Sequence, residues 1–406
     1  MTAHAAQVAA APPVAETDRI ALSLVVGAGI VSAFQVGKAT LALQALRMDL
    51  DVALSAASWV LSAFALLGAL LSVAVGAMSD RLQARPTVIA GLLLQAVGSA
   101  LGAMAPSLAS LLAARALEGL GFLAVTVAAP ALVVAATTVA TRRPAFAAWA
   151  MFMPLGMAMM MFAAPTLGAL GWRGLWWANA ALLAVYALVL GLGTRDLRPI
   201  AGQGNDRHWR HGLRVVLADR GAWWLAGQFC AYTAMFFALF GFLPTILEAR
   251  LVVAGSAAGM LSAIAVLAGA AGCLAGGALL QRGLGTTQLL RGSFATLALC
   301  TIGILVLPLP GELAYLLCLL FSFVGAFIPV AIFDAAPRLA RQPGTLGSVV
   351  GLATQGNNAG IVLGPLLAGS VAGTAGWHWV ALPLALIALL AMGTAAVCRP
   401  RLEARR

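Results

Sequence analysis

This sequence predicts an all-α membrane protein: twelve transmembrane helices arranged as two similar six-helix halves. Three observations predict it. Hydrophobic residues make up 62% of the chain and charged residues only 9%. A soluble domain carries roughly a quarter charged residues, so no soluble fold could hide this much apolar surface. The apolar residues fall into twelve runs long enough to cross a bilayer as helices, without the alternation of a membrane barrel. Finally, a short polar island, Gly76-Ala77-Met78-Ser79-Asp80-Arg81-Leu82-Gln83-Ala84-Arg85, has a looser echo about 200 residues later, Gly277-Ala278-Leu279-Leu280-Gln281-Arg282. Each has a glycine, three residues, a polar residue and an arginine, as a duplicated chain would.

Residues 1–19 are rich in alanine and proline, with Glu16 and Asp18. They lack a basic start and a cleavage site after an apolar core, so they are expected to be a disordered cytoplasmic tail and not a signal peptide. Residues 20–193 form the N-terminal bundle, with spans near Ile20–Leu43, Leu54–Met78, Pro86–Met104, Leu108–Ala136, Ala145–Leu170 and Trp172–Gly193. Pro130, Pro154 and Pro165 are expected to kink the fourth and fifth spans. Residues 194–221 are the one substantial polar stretch between apolar runs, read as a cytoplasmic linker. Its Trp209 and arginines would either rest on the membrane surface or stay solvated. Residues 222–397 form the C-terminal bundle, with spans near Ala222–Leu247, Ser256–Leu280, Gln288–Leu307, Leu313–Asp334, Thr345–Val371 and Trp377–Val397. Residues 398–406 are a basic tail.

The net charge of +11 is distributed by side. With both ends inside, the cytoplasmic segments hold Arg19, Arg81, Arg85, Arg142, Arg143, Arg195, Arg198, Arg207, Arg210, Arg214, Arg220, Arg282, Arg291, Arg338, Arg341, Arg399, Arg401, Arg405 and Arg406. The external loops hold only Arg47, Arg173 and Arg250. This is the positive-inside pattern of an inner-membrane protein, and it removes the need for a nucleic-acid partner. The cysteines Cys230, Cys273, Cys300, Cys318 and Cys398 lie in or beside apolar spans and are expected to be free thiols. The histidines His4, His208, His211 and His378 form no cluster with metal-ligand spacing. There is no phosphate-binding loop, so ATP is not expected as the energy source, and no catalytic constellation, so no enzyme activity and no cofactor are expected.

Charged groups inside a membrane are costly unless paired or facing water, so they are functional candidates. Lys38, the single lysine, sits in the first span with Gln35 one turn before it on the same face. Its amine either snorkels outward or lines a cavity. Arg115 and Glu118 in the fourth span share a face at i, i+3. They form either a structural ion pair or a substrate and proton site, with Glu118 exchanging the proton. Gln355 and Asn358 in the eleventh span, and Gln228 and Tyr232 in the seventh, are candidate substrate contacts, with interhelical hydrogen bonding as the alternative. Pro165 with Gly168, and Gly364 with Pro365, mark paired stretches where small residues let helices approach and prolines allow bending. Asp334, beside Arg338, is expected to be structural.

Gly76, Asp80, Arg81 and Arg85 resemble the loop signature of the major facilitator superfamily, with Gln83-Ala84 in place of the usual glycine-arginine. The resemblance covers Ile20 to Val397 and implies two bundles related by a pseudo-two-fold along the membrane normal, with a midplane site reached alternately from each side. It implies a gating loop built on Gly76, Asp80, Arg81 and Arg85, echoed by Gly277 and Arg282, whose charged hydrogen bonds form in one state and break in the other. Arg115 followed by Gly119 also fits the family. The stretches Phe34–Lys38 and Arg115–Phe122 resemble the cyanate-permease and nitroimidazole-permease branch. That branch implies proton-coupled uptake of a small anion or polar organic molecule. Lys38, Arg115 and Glu118 would together leave about one positive charge, suited to an anion. Proton-driven efflux of amphipathic compounds is the alternative, although Met160 and Ala164 replace glycines expected of efflux antiporters. A non-transporting sensor would need a signalling domain that the linker and tail do not accommodate. The expected partners are a small-molecule substrate, protons and membrane lipids, with the protein acting as a monomer.

Overall fold

The computed structural model describes residues 17–78, 83–138, 141, 145, 148–149, 151–197, 209–251, 253, 255–339 and 346–397. These are helical, with no strand among them. The helices are α1 (Arg19–Asp49), α2 (Leu54–Met78), α3 (Ala84–Ala103), α4 (Leu108–Ala135), α5 (Phe152–Phe162), α6 (Ala164–Gly193), α7 (Trp209–Ala218) and α8 (Arg220–Phe240). They continue with α9 (Leu243–Leu251), α10 (Gly255–Gln281), α11 (Thr286–Leu305), α12 (Gly311–Gly325), α13 (Phe327–Leu339), α14 (Leu346–Thr374) and α15 (Trp377–Val397).

Among the described residues, 10 helical stretches are long and apolar enough to span a membrane. The two remaining expected spans are α5 with the start of α6, and α14, a 29-residue helix diluted by Gln355, Asn357 and Asn358. Three spans expected to be continuous are broken, each by a proline that cannot donate to the carbonyl four residues back. Pro165 cannot bond the Met161 carbonyl where α5 ends, nor Pro244 the Phe240 carbonyl where α8 ends, nor Pro329 the Gly325 carbonyl where α12 ends. The chain reverses between the fifth and sixth spans at Gly171, whose φ of 65° lies in the left-handed region that favours glycine.

In the first half α3 packs on α4 and α6, α1 on α5 and α6, and α2 on α4; in the second α8 packs on α14, α11 on α15 and α10 on α12. The halves meet most extensively where α2 lies against α14, and again where α5 meets α10. Along the first seam Ser58 faces Gly369, Ser62 Oγ donates to the Val362 carbonyl (2.8 Å), Gly68 faces Asn358, and the Val73 amide donates to Gln355 Oε1 (3.2 Å). Helix α14 approaches α8 through Gly356, Gly360 and Gly364, where an added Cβ would stand 2.1, 2.0 and 2.4 Å from atoms of α8. The linker contributes α7, which contacts α2, α8 and α14 and buries Val216.

Candidate functional site

The three charged residues of the first-half spans meet inside that half. Lys38 and Glu118 are wholly buried and Arg115 is 1% exposed. Lys38 does not snorkel: its Nζ donates to Glu118 Oε1 (2.7 Å) and to Ser99 Oγ of α3 (2.6 Å), and stands 4.4 Å over the Trp176 ring of α6. The other oxygen of Glu118 is taken by Arg115 Nη1. Arg115 also donates to the Val60 carbonyl of α2 and the Gln35 carbonyl of α1, both at 2.9 Å, and lies over the Phe64 ring. Ser99 Oγ passes its own hydrogen to the Trp176 carbonyl (2.9 Å). Helices α1, α2, α3, α4 and α6 thus converge on one carboxylate held between two cations.

Glycine makes this convergence possible. A Cβ on Gly119 would stand 1.7 Å from the Phe64 carbonyl oxygen, and one on Gly98 2.8 Å from Glu118 Cγ. Arg115 holds the Val60 carbonyl, and one turn on Gly119 admits the backbone at Phe64. The arginine and glycine four apart therefore form one device that fixes α4 on α2.

The sequence model of the Major Facilitator Superfamily matches residues 25–355. The chain belongs to this superfamily. Its fold is similar to a bacterial homologue of the human lysosomal transporter Spinster, solved in inward-facing unoccupied and occupied conformations. The unoccupied form gives a TM-score of 0.73 at 15% identity over 94% of this chain and 97% of that one. The occupied form gives 0.74 at 15% identity over 93% and 95%. A variant of the nucleoside transporter NupG gives 0.72 at 15% identity over 93% and 99%. No curated protein matches by sequence. A transporter fold of all-helical membrane type, expected from the sequence, is thereby established.

The other candidate residues of this superfamily member fall in distinct places. Gln355 and Asn358 lie in the α2–α14 seam; Asn358 Nδ2 donates to Ser72 Oγ across it (3.1 Å) and to the Thr354 carbonyl (3.0 Å). Gln35 is buried with neither end of its amide partnered. Gln228 points away from the seam, its Nε2 donating to the Ala391 carbonyl (3.1 Å) and Thr394 Oγ1 (2.8 Å) of α15. Tyr232 stacks with Phe229 and lies tilted against Phe236. Gly364 and Pro365 are buried in α14, with Gly364 against the Ala234 carbonyl; Pro165 is exposed at the start of α6, which also holds Gly168. Arg85 donates to Thr194 Oγ1 (3.2 Å) and to the Gly191 carbonyl, tying the start of α3 to the end of α6. Gly76 lies in α2, Gly277 is half-buried in α10, and Arg282 is exposed just past α10. Asp80 and Arg81 lie outside the described residues.

Sequence reasoning missed Ser99 and Trp176, the partners of Lys38, and Gln95, whose Nε2 donates to Ser32 Oγ (3.0 Å). Gln95 and Ser99 stand one turn apart in an apolar span, a polar pair that could have flagged the face toward Lys38. It also missed Asn179, buried with its amide unpartnered, and Ser72 with Gly68, which receive Asn358.

Proposed function

We propose that this protein is a monomeric inner-membrane transporter, with both termini cytoplasmic, that takes up a small anion or polar organic molecule with protons by alternating access. The observation that carries this reading is the buried cluster of Lys38, Arg115 and Glu118, which holds two cations against one carboxylate. One positive charge is left over in a low-dielectric interior, where an unbalanced charge is expensive. Two events relieve it: loss of a proton from the Lys38–Glu118 pair, or arrival of an anion. Each makes the other less favourable: a bound anion holds the proton on, and loss of the proton weakens the hold on the anion, so proton and anion load and leave together. By linkage the anion raises proton affinity by the factor by which the proton raises anion affinity. Gln35, one turn before Lys38 with a free amide, and the seam residues Gln355 and Asn358 are the groups we assign to the solute. Asn358 joins the halves in this state and would release Ser72 as the seam opens. The loop from Gly76 to Arg85, with Gly277 and Arg282 as its second-half echo, is assigned the gating role, and Lys38 with Arg115 supply the charge selectivity.

Counterflow in proteoliposomes tests this, against a panel of small carboxylates, inorganic anions and amphipathic drugs, with and without a pH gradient. Acid outside should concentrate an anion in wild type. Lys38→Met, which removes the leftover charge, should weaken exchange of every anion and lose the response to the gradient. Drug export driven by an inward proton gradient, with no anion carried, would overturn the uptake reading. Unchanged gradient response in both Lys38→Met and Glu118→Gln would remove the cluster from coupling.

A further inference from the structure

Outside the seam, a cavity of about 1040 Å³ lies between α8, α14 and α15. It opens toward the bilayer, since Trp223, Leu363 and Leu390 on its walls are 51%, 54% and 70% exposed. Its walls are mostly apolar, with Ser370 and Thr394 on α14 and α15 and one polar stripe on α8. Arg220, Trp224 and Gln228 fall at i, i+4 and i+8 of α8 and share a face. Arg220 is exposed at the first turn, beside the linker helix, and no ion pair reaches it among the described residues. Trp224 is 9% exposed, lines the cavity, and its indole N–H has no partner. Gln228 spends its own N–H groups on α15 and so sets the width of the groove.

We propose that this groove binds an anionic phospholipid from the linker-side leaflet, its phosphate on Arg220 and one acyl chain along α8 past Trp224. The lined face of α8 runs from Arg220 to Ala234, about 20 Å of helix, close to the ~15 Å depth of one leaflet's hydrocarbon. The polar end of the groove is therefore at headgroup level and the apolar end at chain level. The charge fits as well: Arg214 on α7 is exposed and adds a second cation on the same membrane face as Arg220. A zwitterionic lipid offers the same chains with a cation beside its phosphate, so the arginines favour the anionic one.

Gly227 gives a clean way to close the groove. It lines the cavity, and a Cβ there would meet nothing within 4 Å, so Gly227→Leu starts its side chain in open space and fills the groove. The experiment is native mass spectrometry of the full-length protein in detergent, titrated with phosphatidylglycerol or chain-matched phosphatidylcholine. Wild type should retain one phosphatidylglycerol about fivefold better than phosphatidylcholine, the scale of one basic residue at an anionic surface. Arg220→Gln should erase that preference, and Gly227→Leu should lose both lipids at this site. Arg291→Gln, an exposed arginine on α11 away from the groove, should change nothing. Equal retention of the two lipids by wild type, unaltered retention in Gly227→Leu, or an equal loss in Arg291→Gln would overturn the proposal.

Discussion

The two halves of this transporter share a fold but not an interior. The first half is built around buried charge: Lys38, Arg115 and Glu118 tie five helices to one point. Among the described residues of α8 to α15, no lysine, arginine, aspartate or glutamate is buried. The second half is packed instead with rings and thiols. Phe236 stacks on Phe240 at 4.4 Å, Phe240 on Phe321 at 5.7 Å, and Cys300 and Cys318 are buried beside them. Dispersion and shape hold such a core, and no charge pair is needed to hold it. A charge cluster answers to pH and to anions. The difference suggests a division of labour in which one half senses and the other serves as the rigid body against which it moves.

The most forceful way to break that comparison is to unbalance the cluster. Glu118→Gln leaves two buried cations without their anion, and removing one partner of a buried pair typically costs about 3–5 kcal/mol. Lys38→Met leaves Arg115 and Glu118 as a neutral pair, fills similar volume, and keeps the Ser99 bond to the Trp176 carbonyl. Its stability should stay within about 1.5 kcal/mol of wild type. Thermal unfolding in detergent should therefore rank Lys38→Met well above Glu118→Gln. Equal losses would mean that the leftover charge carries no penalty, and the coupling scheme would lose its physical basis.

Glycine contacts sharpen the comparison at a lower energy. Gly119→Ala drives a methyl into the Phe64 carbonyl at 1.7 Å, and overpacking of this kind costs roughly 1–3 kcal/mol. Gly360→Ala should do the same to the second half, against Thr233 Oγ1 at 2.0 Å. Gly277 belongs to the repeated glycine-and-arginine pattern, yet a Cβ there meets nothing within 4 Å. Gly277→Ala should be neutral or gain up to about 1 kcal/mol through helix propensity. If Gly277→Ala instead destabilises in the same thermal assay, the echo of the first-half loop has a packing role that the resting contacts do not contain.

Much of this was legible in the sequence, for identifiable reasons. A bilayer forces spanning backbone into helix, so apolar runs of span length read as the spans that α1–α6 and α8–α15 build, three of them from two helices each. The i, i+3 pairing of Arg115 with Glu118 was legible because it is local. The partner of Lys38 was not, because it lies 80 positions away on another helix, and periodicity carries no information about which faces of different helices meet. Gln35 and Lys38 were placed on one face, yet Lys38 turns to α3, α4 and α6. Pro130, Pro154 and Pro165 were read as kinks, while Pro244 and Pro329, where α8 and α12 give way to new helices, were not read at all. Gln228 and Asn358 looked equivalent as amides in apolar runs. Only packing distinguishes the one that bonds α15 within its half from the one that crosses to α2.

That last distinction sets the finest test. Asn358 Nδ2 bonds Ser72 across the seam, and its amide sits on Gly68, where a Cβ would be 2.6 Å from Asn358 Cγ. Interhelical hydrogen bonds in membranes are worth about 0.6 kcal/mol on average, or roughly a threefold change in an equilibrium. Asn358→Ala should shift the balance between closed and open seam by that factor, read as a changed distance distribution between spin labels at the linker-side ends of α2 and α14. Gln228→Ala, which cuts bonds within one half, should leave that distribution where it is and lower thermal stability instead. If the two variants act alike on the distances, the seam is not the surface on which the halves part, and the motion must be sought at the α5–α10 contact.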